Sequence, residues 1–338
     1  MKTYLLKPET FFPKLKIQNS VELAQQLGLQ DSRQLKALFR LSGINTKYSL
    51  YDFKEDKLNE KMLDICVGAI NKLFETNNIV AKDIDGIIAC YNTSDMQVPG
   101  LTSRLFEMID FKHDIHNYPL FGLGCGSFLS AINLAQHLLL DETINNIIIV
   151  CCDVSTLCYP ANSDASDLGQ MMSIALFGDG AAATLVTKDG NLGDEKAEIL
   201  DIQVATHFGT SMTMTNGTMH LDEMLLENIS PYVVELVEAL LANNNLDFDQ
   251  IKHWVIHSGG KKILLGVKKL FNLSDSQMLP SMQSYRDYGN ISAASVPTAL
   301  NKLYSLGDTG YVKEDGDLGI ILGFGSGFFL GASLVKYL

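Results

Sequence analysis

The sequence is short of basic residues. Its 338 residues include 26 lysines and arginines against 39 aspartates and glutamates, which gives a formal net charge of −13 at pH 7. A surplus of negative charge repels phosphate backbones, so general nucleic-acid binding is excluded unless basic residues cluster locally. The same charge favours solubility.

Cysteine is also scarce, and its spacing excludes two further classes of protein. The six cysteines include no Cys-x-x-Cys pair and no combination of Cys and His spaced as in a zinc site. Neither a metal centre nor a disulfide framework is therefore expected, and no cofactor is predicted. The charged, proline-containing segment of residues 1–8 does not resemble a secretory signal, so we expect a cytoplasmic protein.

One uncharged run, residues 318–335, is about as long as a membrane-spanning helix. It contains five glycines, which make it a poor helix. Two short buried strands around a glycine turn suit this composition better. We therefore expect no membrane insertion.

Apolar runs alternate with helical patterns along the chain. Residues 84–90 and 145–152 are continuous apolar runs, typical of strands covered on both faces, and they indicate an α/β protein. Phe177-Gly-Asp-Gly and Phe324-Gly-Ser-Gly each precede an apolar strand pattern. These echoes favour two related halves, residues 1–187 and residues 188–338. Asp179, between the two glycines of the first motif, is predicted to occupy a tight turn.

Cys125 is the first candidate for chemistry. It lies in Phe121-Gly-Leu-Gly-Cys-Gly-Ser-Phe128, where a glycine-rich run turns into a helical pattern. Unpaired backbone N–H groups at a helix start favour thiolate and should lower the pKa of the thiol. A lone cysteine is also often a small buried hydrophobe, and that alternative applies to the other five.

Two polar residues downstream lie in similar glycine-rich, apolar settings. His257 is found in Trp254-Val-Ile-His-Ser-Gly-Gly260, and Asn290 in Tyr288-Gly-Asn-Ile-Ser. Cysteine, histidine and asparagine form a possible catalytic set. A core histidine and a turn-forming asparagine remain the structural alternatives.

Four lysines recur at helical spacing after His257: Lys261, Lys262, Lys268 and Lys269. A spacing of seven residues returns each pair to nearly the same helix face. In so acidic a chain, such a stripe is where a phosphorylated substrate would bind, with Lys262 and Lys269 as the predicted contacts. A solvated helix face is the alternative.

Several blocks resemble the thiolase superfamily, in the branch that contains ketoacyl carrier-protein synthase III and type III polyketide synthases. They are Ala-Leu-Phe-Gly-Asp-Gly-Ala-Ala-Ala at 175–183, Trp-Val-Ile-His-Ser-Gly-Gly-Lys-Lys at 254–262, Tyr-Gly-Asn-Ile-Ser-Ala-Ala-Ser at 288–295 and Gly-Phe-Gly-Ser-Gly at 323–327. The resemblance implies a thiolase-like, five-layered α-β-α-β-α fold made of two similar halves. It also implies a homodimer, or a heterodimer with a paralogue.

The resemblance further implies an acyl-thioester condensing enzyme of lipid or polyketide biosynthesis. Cys125 would take an acyl group from an acyl-coenzyme A or acyl carrier protein thioester, and His257 with Asn290 would help to join it to a malonyl- or β-ketoacyl-type thioester. Backbone N–H groups at Gly325 and Ser326 would stabilise the oxyanion. Tyr159 and Phe208 lie where family members often line the substrate pocket.

Two other functions stay open at this point. The same Cys125 could pass its acyl group to an oxygen or nitrogen nucleophile without condensation, with His257 as general base. The chain could also be a non-catalytic partner of an active paralogue, although such a partner has no physical need for the three polar residues. If the chain is a condensing enzyme, His257→Ala is expected to retain acylation and to lose decarboxylation.

Overall fold

The computed structural model describes residues 1–17, 23, 26–28, 33–159, 168–215, 218–222, 224–307 and 310–338. The α-helices of these residues are α1 (Arg33–Ser42), α2 (Met62–Asn77), α3 (Leu101–Arg104), α4 (Ser127–Leu138), α5 (Leu168–Leu176), α6 (Leu225–Asn243), α7 (Lys261–Leu270), α8 (Asp275–Tyr288) and α9 (Ser295–Ser305). The strands are β1 (Tyr4–Leu6), β2 (Glu9–Phe11), β3 (Leu15–Ile17), β4 (Lys47–Ser49), β5 (Tyr51–Asp52), β6 (Lys57–Leu58), β7 (Gly86–Tyr91), β8 (His116–Phe121), β9 (Asn146–Val154), β10 (Asp179–Thr187), β11 (Lys196–Thr206), β12 (Met212–Thr215), β13 (Thr218–Leu221), β14 (Ile251–Ile256), β15 (Leu318–Gly325) and β16 (Phe329–Tyr337).

Ten of these strands form one mixed sheet. Their order is β14-β15-β16-β11-β1-β10-β9-β7-β8, and β2 pairs with β10 beside this path. The same pattern occurs on both sides of β1: the parallel pair β7 and β9 is followed by antiparallel β10, and the parallel pair β14 and β15 by antiparallel β16. The Phe177-Gly-Asp-Gly motif runs into the start of β10, and the Phe324-Gly-Ser-Gly motif ends β15 and leads into β16.

The strands from the first half of the chain are covered on both faces, as their continuous apolar runs predict. Ile87 and Ala89 of β7 belong to a core shared with α2. Ile88 and Cys90, which alternate with them, belong to a different core shared with α4 and α9. Successive side chains of a strand point to opposite faces, so this half of the sheet separates two layers of helix.

The strands from the second half of the chain are covered in the same way. Val255 of β14 and Ile321 of β15 belong to the core shared with α4 and α9. Trp254 and Ile320 belong to a third core, which contains residues of α6, α7 and α8. Helices α4 and α9 therefore lie between the two halves of the sheet, and the order of layers is helix, sheet, helix, sheet, helix.

The uncharged run at residues 318–335 forms strands β15 and β16, joined by a turn at Ser326–Phe328. The prediction of two buried strands is confirmed. Across the described residues, no helix is both long enough and apolar enough to span a bilayer.

Asp179 does not occupy the tight turn that its sequence predicts. It begins β10, is fully buried, and accepts hydrogen bonds from the backbone N–H groups of Leu50 (2.8 Å) and Thr156 (2.9 Å). Burial raises the pKa of this carboxyl group to about 6. Asp179 thus connects β10 to the segment after β4 and to the segment after β9. Its local sequence does not indicate these long-range contacts.

Candidate active site

Cys125 lies at the start of α4. A turn at Gly124–Gly126 follows β8 and leads into the helix, and Cys125 is buried within it. Gly124 has a φ of +63°, and a Cβ atom there would lie 2.6 Å from the backbone nitrogen of Ser326. Glycine is therefore required before the cysteine both for the conformation and for the close approach of the β15–β16 turn.

Gly325 approaches Cys125 from the other side. A Cβ atom at Gly325 would lie 2.4 Å from the backbone nitrogen of Cys125 and 2.8 Å from that of Gly126. The two glycine-rich motifs are thus in backbone contact. This contact brings the predicted oxyanion-stabilising turn to the backbone N–H of Cys125.

His257 directly follows β14. Its backbone N–H donates to the carbonyl of Leu322 (2.9 Å), which continues the pairing with β15. Its ring packs edge-on against Phe324, with 5.6 Å between the ring centroids. Burial lowers the pKa of His257 to about 3, which favours the neutral imidazole, and among the described residues its Nδ1 atom has no hydrogen-bond partner.

Gly259 leaves space for the His257 ring. A Cβ atom at residue 259 would lie 2.7 Å from Nε2 of His257. The glycine after the histidine is thus explained by the ring that it accommodates.

Asn290 follows α8, after Gly289 with a φ of +72°. Its Oδ1 atom accepts hydrogen bonds from the backbone N–H of Ser292 (2.9 Å) and the hydroxyl of Ser295 (3.1 Å). Its Nδ2 atom donates to the carbonyl of Gly259 (3.2 Å). These partners fix the amide orientation, with the N–H groups directed towards the segment that follows His257.

A buried carboxylate that the sequence analysis did not identify binds several segments around the site. Asp153, near the end of β9, accepts five hydrogen bonds. The donors are the backbone N–H groups of Asn92, Thr93 and Ala293, the hydroxyl of Thr93 and the side-chain amide of Asn92, all between 2.6 and 3.0 Å. The only local signal was a charged residue within a buried apolar run.

Asn92 connects this carboxylate to the thiol. Its Oδ1 atom accepts from the backbone N–H of Gly124 (2.8 Å), and its Nδ2 atom donates to the hydroxyl of Ser292 (3.1 Å). The thiol of Cys125 lies 3.6 Å from the same hydroxyl. Asp153, Asn92 and Ser292 therefore hold the cysteine turn and the asparagine turn in a fixed relative position.

The expected lowering of the Cys125 pKa is wrong for the substrate-free protein. Burial raises the pKa of the thiol to about 12, and the hydrogen bond with Ser292 offsets only part of that rise. Removing the thiolate from water costs more free energy than the helix start returns. Burial therefore favours the protonated thiol of Cys125 and the neutral imidazole of His257 at neutral pH.

One cavity of about 410 Å³ brings the predicted set together. Cys125, His257 and Asn290 line it together with Gly325 and Lys262. Most of the remaining wall is apolar and comes from α1, α5 and the start of α6. The arrangement combines a thiol and two nitrogen-bearing side chains in a largely apolar pocket, which suits acyl transfer.

Other predicted residues lie outside this cavity wall. Tyr159 is buried behind it and donates a hydrogen bond to the carbonyl of Phe177 (2.6 Å), whereas the side chain of Phe208 is 91% exposed. Ser326 donates to the carbonyl of Met212 (2.7 Å), and Lys269 lies on the last turn of α7. Lys261, which the prediction did not select for binding, does line the cavity.

Sequence comparison identifies the family. Residues 19–224 match the model of FAE1/type III polyketide synthase-like proteins, and residues 241–337 match the C-terminal model of 3-oxoacyl-[acyl-carrier-protein] synthase III. The chain belongs to the FAE1/type III polyketide synthase-like family. It is an acyl-transferring condensing enzyme, as the motifs predict.

Curated relatives come from both branches that the motifs resemble. The chain is 26% identical to 1,3,6,8-tetrahydroxynaphthalene synthase of Streptomyces coelicolor, over 98% of this chain and 91% of that protein. It is also 26% identical to β-ketoacyl-[acyl-carrier-protein] synthase III of Helicobacter hepaticus, over 88% of this chain and 87% of that protein.

Solved structures of family members have the same fold. The C-terminal type III polyketide synthase domain of Steely1 from Dictyostelium matches with a TM-score of 0.85 at 21% identity, over 99% of both chains. The tetrahydroxynaphthalene synthase of S. coelicolor matches with a TM-score of 0.82 at 25% identity, over 98% of this chain and 99% of that one. The predicted thiolase-like α-β-α-β-α fold is confirmed.

Proposed function

We propose that Cys125 accepts the acyl group from a thioester of coenzyme A or of a carrier protein, and that His257 and Asn290 activate the second thioester for condensation. The observation that carries this proposal is the shared cavity. Cys125 lies just before α4, His257 follows β14 and Asn290 follows α8, and all three line one pocket with an apolar wall.

Acylation begins from a protonated thiol. Burial raises the pKa of the Cys125 thiol far above neutral pH, so the protonated form predominates before the attack. A base must therefore take the proton as sulfur attacks the thioester carbonyl, and the neutral imidazole of His257 is a base in the same cavity. The sulfur–carbonyl bond forms, the thiol of the donor leaves, and the proton passes from His257 to that thiol.

The tetrahedral intermediate of this step carries negative charge on oxygen. The backbone N–H of Cys125 and those of the Gly325–Ser326 turn are the proposed donors to this oxyanion. Their support is the contact between the two turns, in which a Cβ at Gly325 would lie 2.4 Å from the nitrogen of Cys125. A well-placed donor of this kind stabilises the transition state by about 3 kcal/mol.

Condensation follows on the acyl-enzyme. The carbonyl oxygen of a malonyl-type thioester accepts hydrogen bonds from Nε2 of His257 and Nδ2 of Asn290. An amide has two N–H groups, and in the free protein one of them donates to the Gly259 carbonyl (3.2 Å). Loss of carbon dioxide leaves an enolate held by these donors, and its carbon attacks the acyl carbonyl on Cys125. The new carbon–carbon bond forms as the carbon–sulfur bond to Cys125 breaks, and the released thiolate takes a proton from solvent.

Lys261 and Lys262 are the proposed contacts for the donor's phosphates. Both line the cavity, at the start of α7. Lys269 lies about 10 Å further along the helix axis. We expect Lys262→Glu to raise the KM for acyl-coenzyme A with little change in kcat, and Lys269→Glu to raise it less. An unchanged KM in both variants would show that these lysines do not bind the donor and only form a solvated helix face.

Intact-protein mass spectrometry with a panel of acyl-coenzyme A thioesters tests the acylation step. The wild type should gain the acyl mass, and Cys125→Ala should not. Cys158→Ala is the matched control, because Cys158 is only partly buried and lies outside the cavity wall. Acylation of Cys125→Ala at the wild-type rate would overturn the assignment of the nucleophile.

Carbon dioxide release from malonyl-coenzyme A tests the second step. Because the thiol is protonated, His257→Ala is now expected to slow acylation as well as decarboxylation, whereas Asn290→Ala should slow decarboxylation alone. An ester or amide product without carbon dioxide release would favour acyl transfer to oxygen or nitrogen instead. Equal loss of both steps in Asn290→Ala would contradict its proposed role.

A homodimer is the proposed assembly, with pairing along β8. This strand is at the edge of the sheet, and the ring of Phe121 at its end is 62% exposed. A long unpaired edge is normally covered, and a second copy supplies a matching edge. Light scattering should give twice the chain mass for the wild type and less for Asn117→Pro, which removes a backbone donor from the open side of β8, because the N–H groups of His116 and every second residue after it face β7. Association with a paralogue alone would appear as a monomer.

We also propose that the enzyme works in the cytoplasm. All six cysteines are free thiols, and four of the five outside the catalytic set are fully buried. Free thiols of this kind persist in a reducing compartment. Fractionation of cells that express the protein would test the assignment, and recovery with the membranes would contradict it.

A further inference from the structure

Lys47 is buried beside the active-site cavity but is not part of the catalytic set. Only 2% of its surface is exposed. Its ammonium group donates a hydrogen bond to the carbonyl of Ile174 and lies 3.4 Å from the hydroxyl of Tyr159. It also lies over the rings of Phe39 and Tyr159, at 5.5 and 5.7 Å from their centroids. Among the described residues, no carboxylate forms an ion pair with it.

These contacts join two helices of the cavity wall. Ile174 lies in the last turn of α5, whose residues Met172, Ala175 and Leu176 line the cavity. Phe39 belongs to α1, which contributes Leu38 and Leu41 to the same wall. A carbonyl in the last turn of a helix has no intrahelical partner and carries partial negative charge, so an ammonium group binds it well.

Burial has a second consequence for this lysine. Loss of hydration lowers the pKa of Lys47 to about 7, although the negative charge of Asp179 opposes that shift. Tyr159 stays neutral because burial raises its pKa well above 10.0, and burial also raises the pKa of nearby Cys158 to about 11. Neither α1 nor α5 places a charged side chain against the ammonium among the contacts of the described residues. Lys47 therefore exchanges its proton near pH 7, and Asp179, with a pKa of about 6, exchanges its own just below that, whereas Tyr159 and Cys158 keep theirs.

We propose that Lys47 is a positioning residue that fixes the last turn of α5 against α1 and thereby sets how tightly the enzyme holds long aliphatic acyl groups. The proposal rests on the proposed function, in which this cavity receives the acyl chain of the donor. A long chain is held by contact with the apolar wall, so its binding depends on the position of both helices. An acetyl group ends one carbon beyond the carbonyl and depends on that wall far less.

Two variants test the role. Lys47→Met keeps the length and apolar stem of the side chain but removes its donors, whereas Lys47→Arg keeps a positive charge at every accessible pH. The rate of Cys125 acylation is measured by mass spectrometry with acetyl- and octanoyl-coenzyme A, to give kcat and KM for each. Lys47→Met should raise KM for the octanoyl donor about tenfold, the effect of losing a charge-assisted hydrogen bond, and should change the acetyl value less than about threefold.

The pH profile separates this role from a general loss of structure. In the wild type, KM for the octanoyl donor should rise between pH 6 and 9 as Lys47 loses its proton, and KM for the acetyl donor should not. Lys47→Arg should show a flat octanoyl profile. An equal rise for both donors in Lys47→Met, or the same rise with pH in Lys47→Arg and wild type, would overturn the proposal.

Failure of the Lys47 proposal can be distinguished from failure of the proposed function. If Lys47→Met and Lys47→Arg do not fold, the ratio of the two wild-type KM values across pH decides, because a constant ratio contradicts the proposal. If wild-type Cys125 gains no mass from any acyl donor, the proposed function fails, whereas acylation with unaltered selectivity in the variants refutes only the role of Lys47.

Discussion

Gly325→Ala should damage catalysis through backbone displacement alone. The φ of Gly325 is −162°, an extended conformation that alanine adopts freely, so the substitution introduces no conformational strain. A Cβ atom would nevertheless lie 2.4 Å from the nitrogen of Cys125, where ordinary contacts begin at 3.4 Å. A backbone nitrogen and a Cβ atom cannot rotate away from each other, so the cysteine turn or the β15–β16 turn must move by about 1 Å.

A displacement of this size acts on the nucleophile and on the oxyanion donors together. Misplacement by about 1 Å can reduce a rate about 10²-fold. We therefore expect the Cys125 acylation rate to fall at least that much, while KM for the donor changes little because the substitution displaces the two turns rather than the apolar wall from α1, α5 and α6. The rate is measured by quenched-flow mass spectrometry with one acyl-coenzyme A at saturation.

Gly307→Ala is the matched control. A Cβ atom at Gly307 meets none of the described atoms within 4 Å, and its φ is not in the left-handed region. Its acylation rate should equal that of the wild type. Thermal unfolding of Gly325→Ala establishes that the variant is folded, and a folded Gly325→Ala with wild-type acylation would refute the argument that these two turns are in contact.

Three further predictions concern buried ionisable groups. Because burial holds the pKa of Cys125 at about 12, its alkylation by iodoacetamide should rise about tenfold per pH unit from pH 6 to 9, and a plateau by pH 7 would contradict this. Asp153→Asn should lower the free energy of unfolding by about 3 kcal/mol in urea titrations, because the amide would turn an N–H group towards groups that are themselves donors. Asp110→Asn, which replaces an exposed carboxylate, should have little effect. Equal stability of the two variants would count against the hydrogen bonds assigned to Asp153. Lys47 has a pKa of about 7 when folded and an ordinary value of 10.5, so at this site the unfolded chain binds more protons between these values. Buried thiols such as Cys125 and Cys158 act in the opposite direction at higher pH. In urea titrations the wild type should therefore gain stability relative to Lys47→Met as the pH rises above 7, and a constant difference would contradict the assignment.

The three polar residues that line the cavity together could be singled out from the sequence because their signals are local. Cys125, His257 and Asn290 each lie beside glycines within a few residues, and those glycines have local purposes. Gly124 allows the turn before the cysteine, and Gly259 leaves space for the histidine ring. Short motifs that follow from short-range geometry are readable in a single sequence.

The supporting residues could not be predicted, because their partners are distant in the chain. Asp153 receives hydrogen bonds from residues 60 and 140 positions away. Lys47 sits among polar residues in the sequence and gives no sign of burial, yet its carbonyl partner is 127 positions away. The thiol pKa was predicted in the wrong direction for the same reason, since the helix start is a local feature and burial is a property of the whole fold.

Strand β1 is a three-residue seam in the main sheet. Tyr4 pairs with Thr187 of β10 on one side and with Glu198 of β11 on the other, and β11 pairs in turn with β16 at residues 329–337. During translation, Tyr4 leaves the ribosome long before either neighbour exists. The apolar segment of β1 therefore lacks its sheet partners until almost two hundred residues have been synthesised. Folding of this enzyme thus depends on how fast the chain elongates and on how β1 is protected until then.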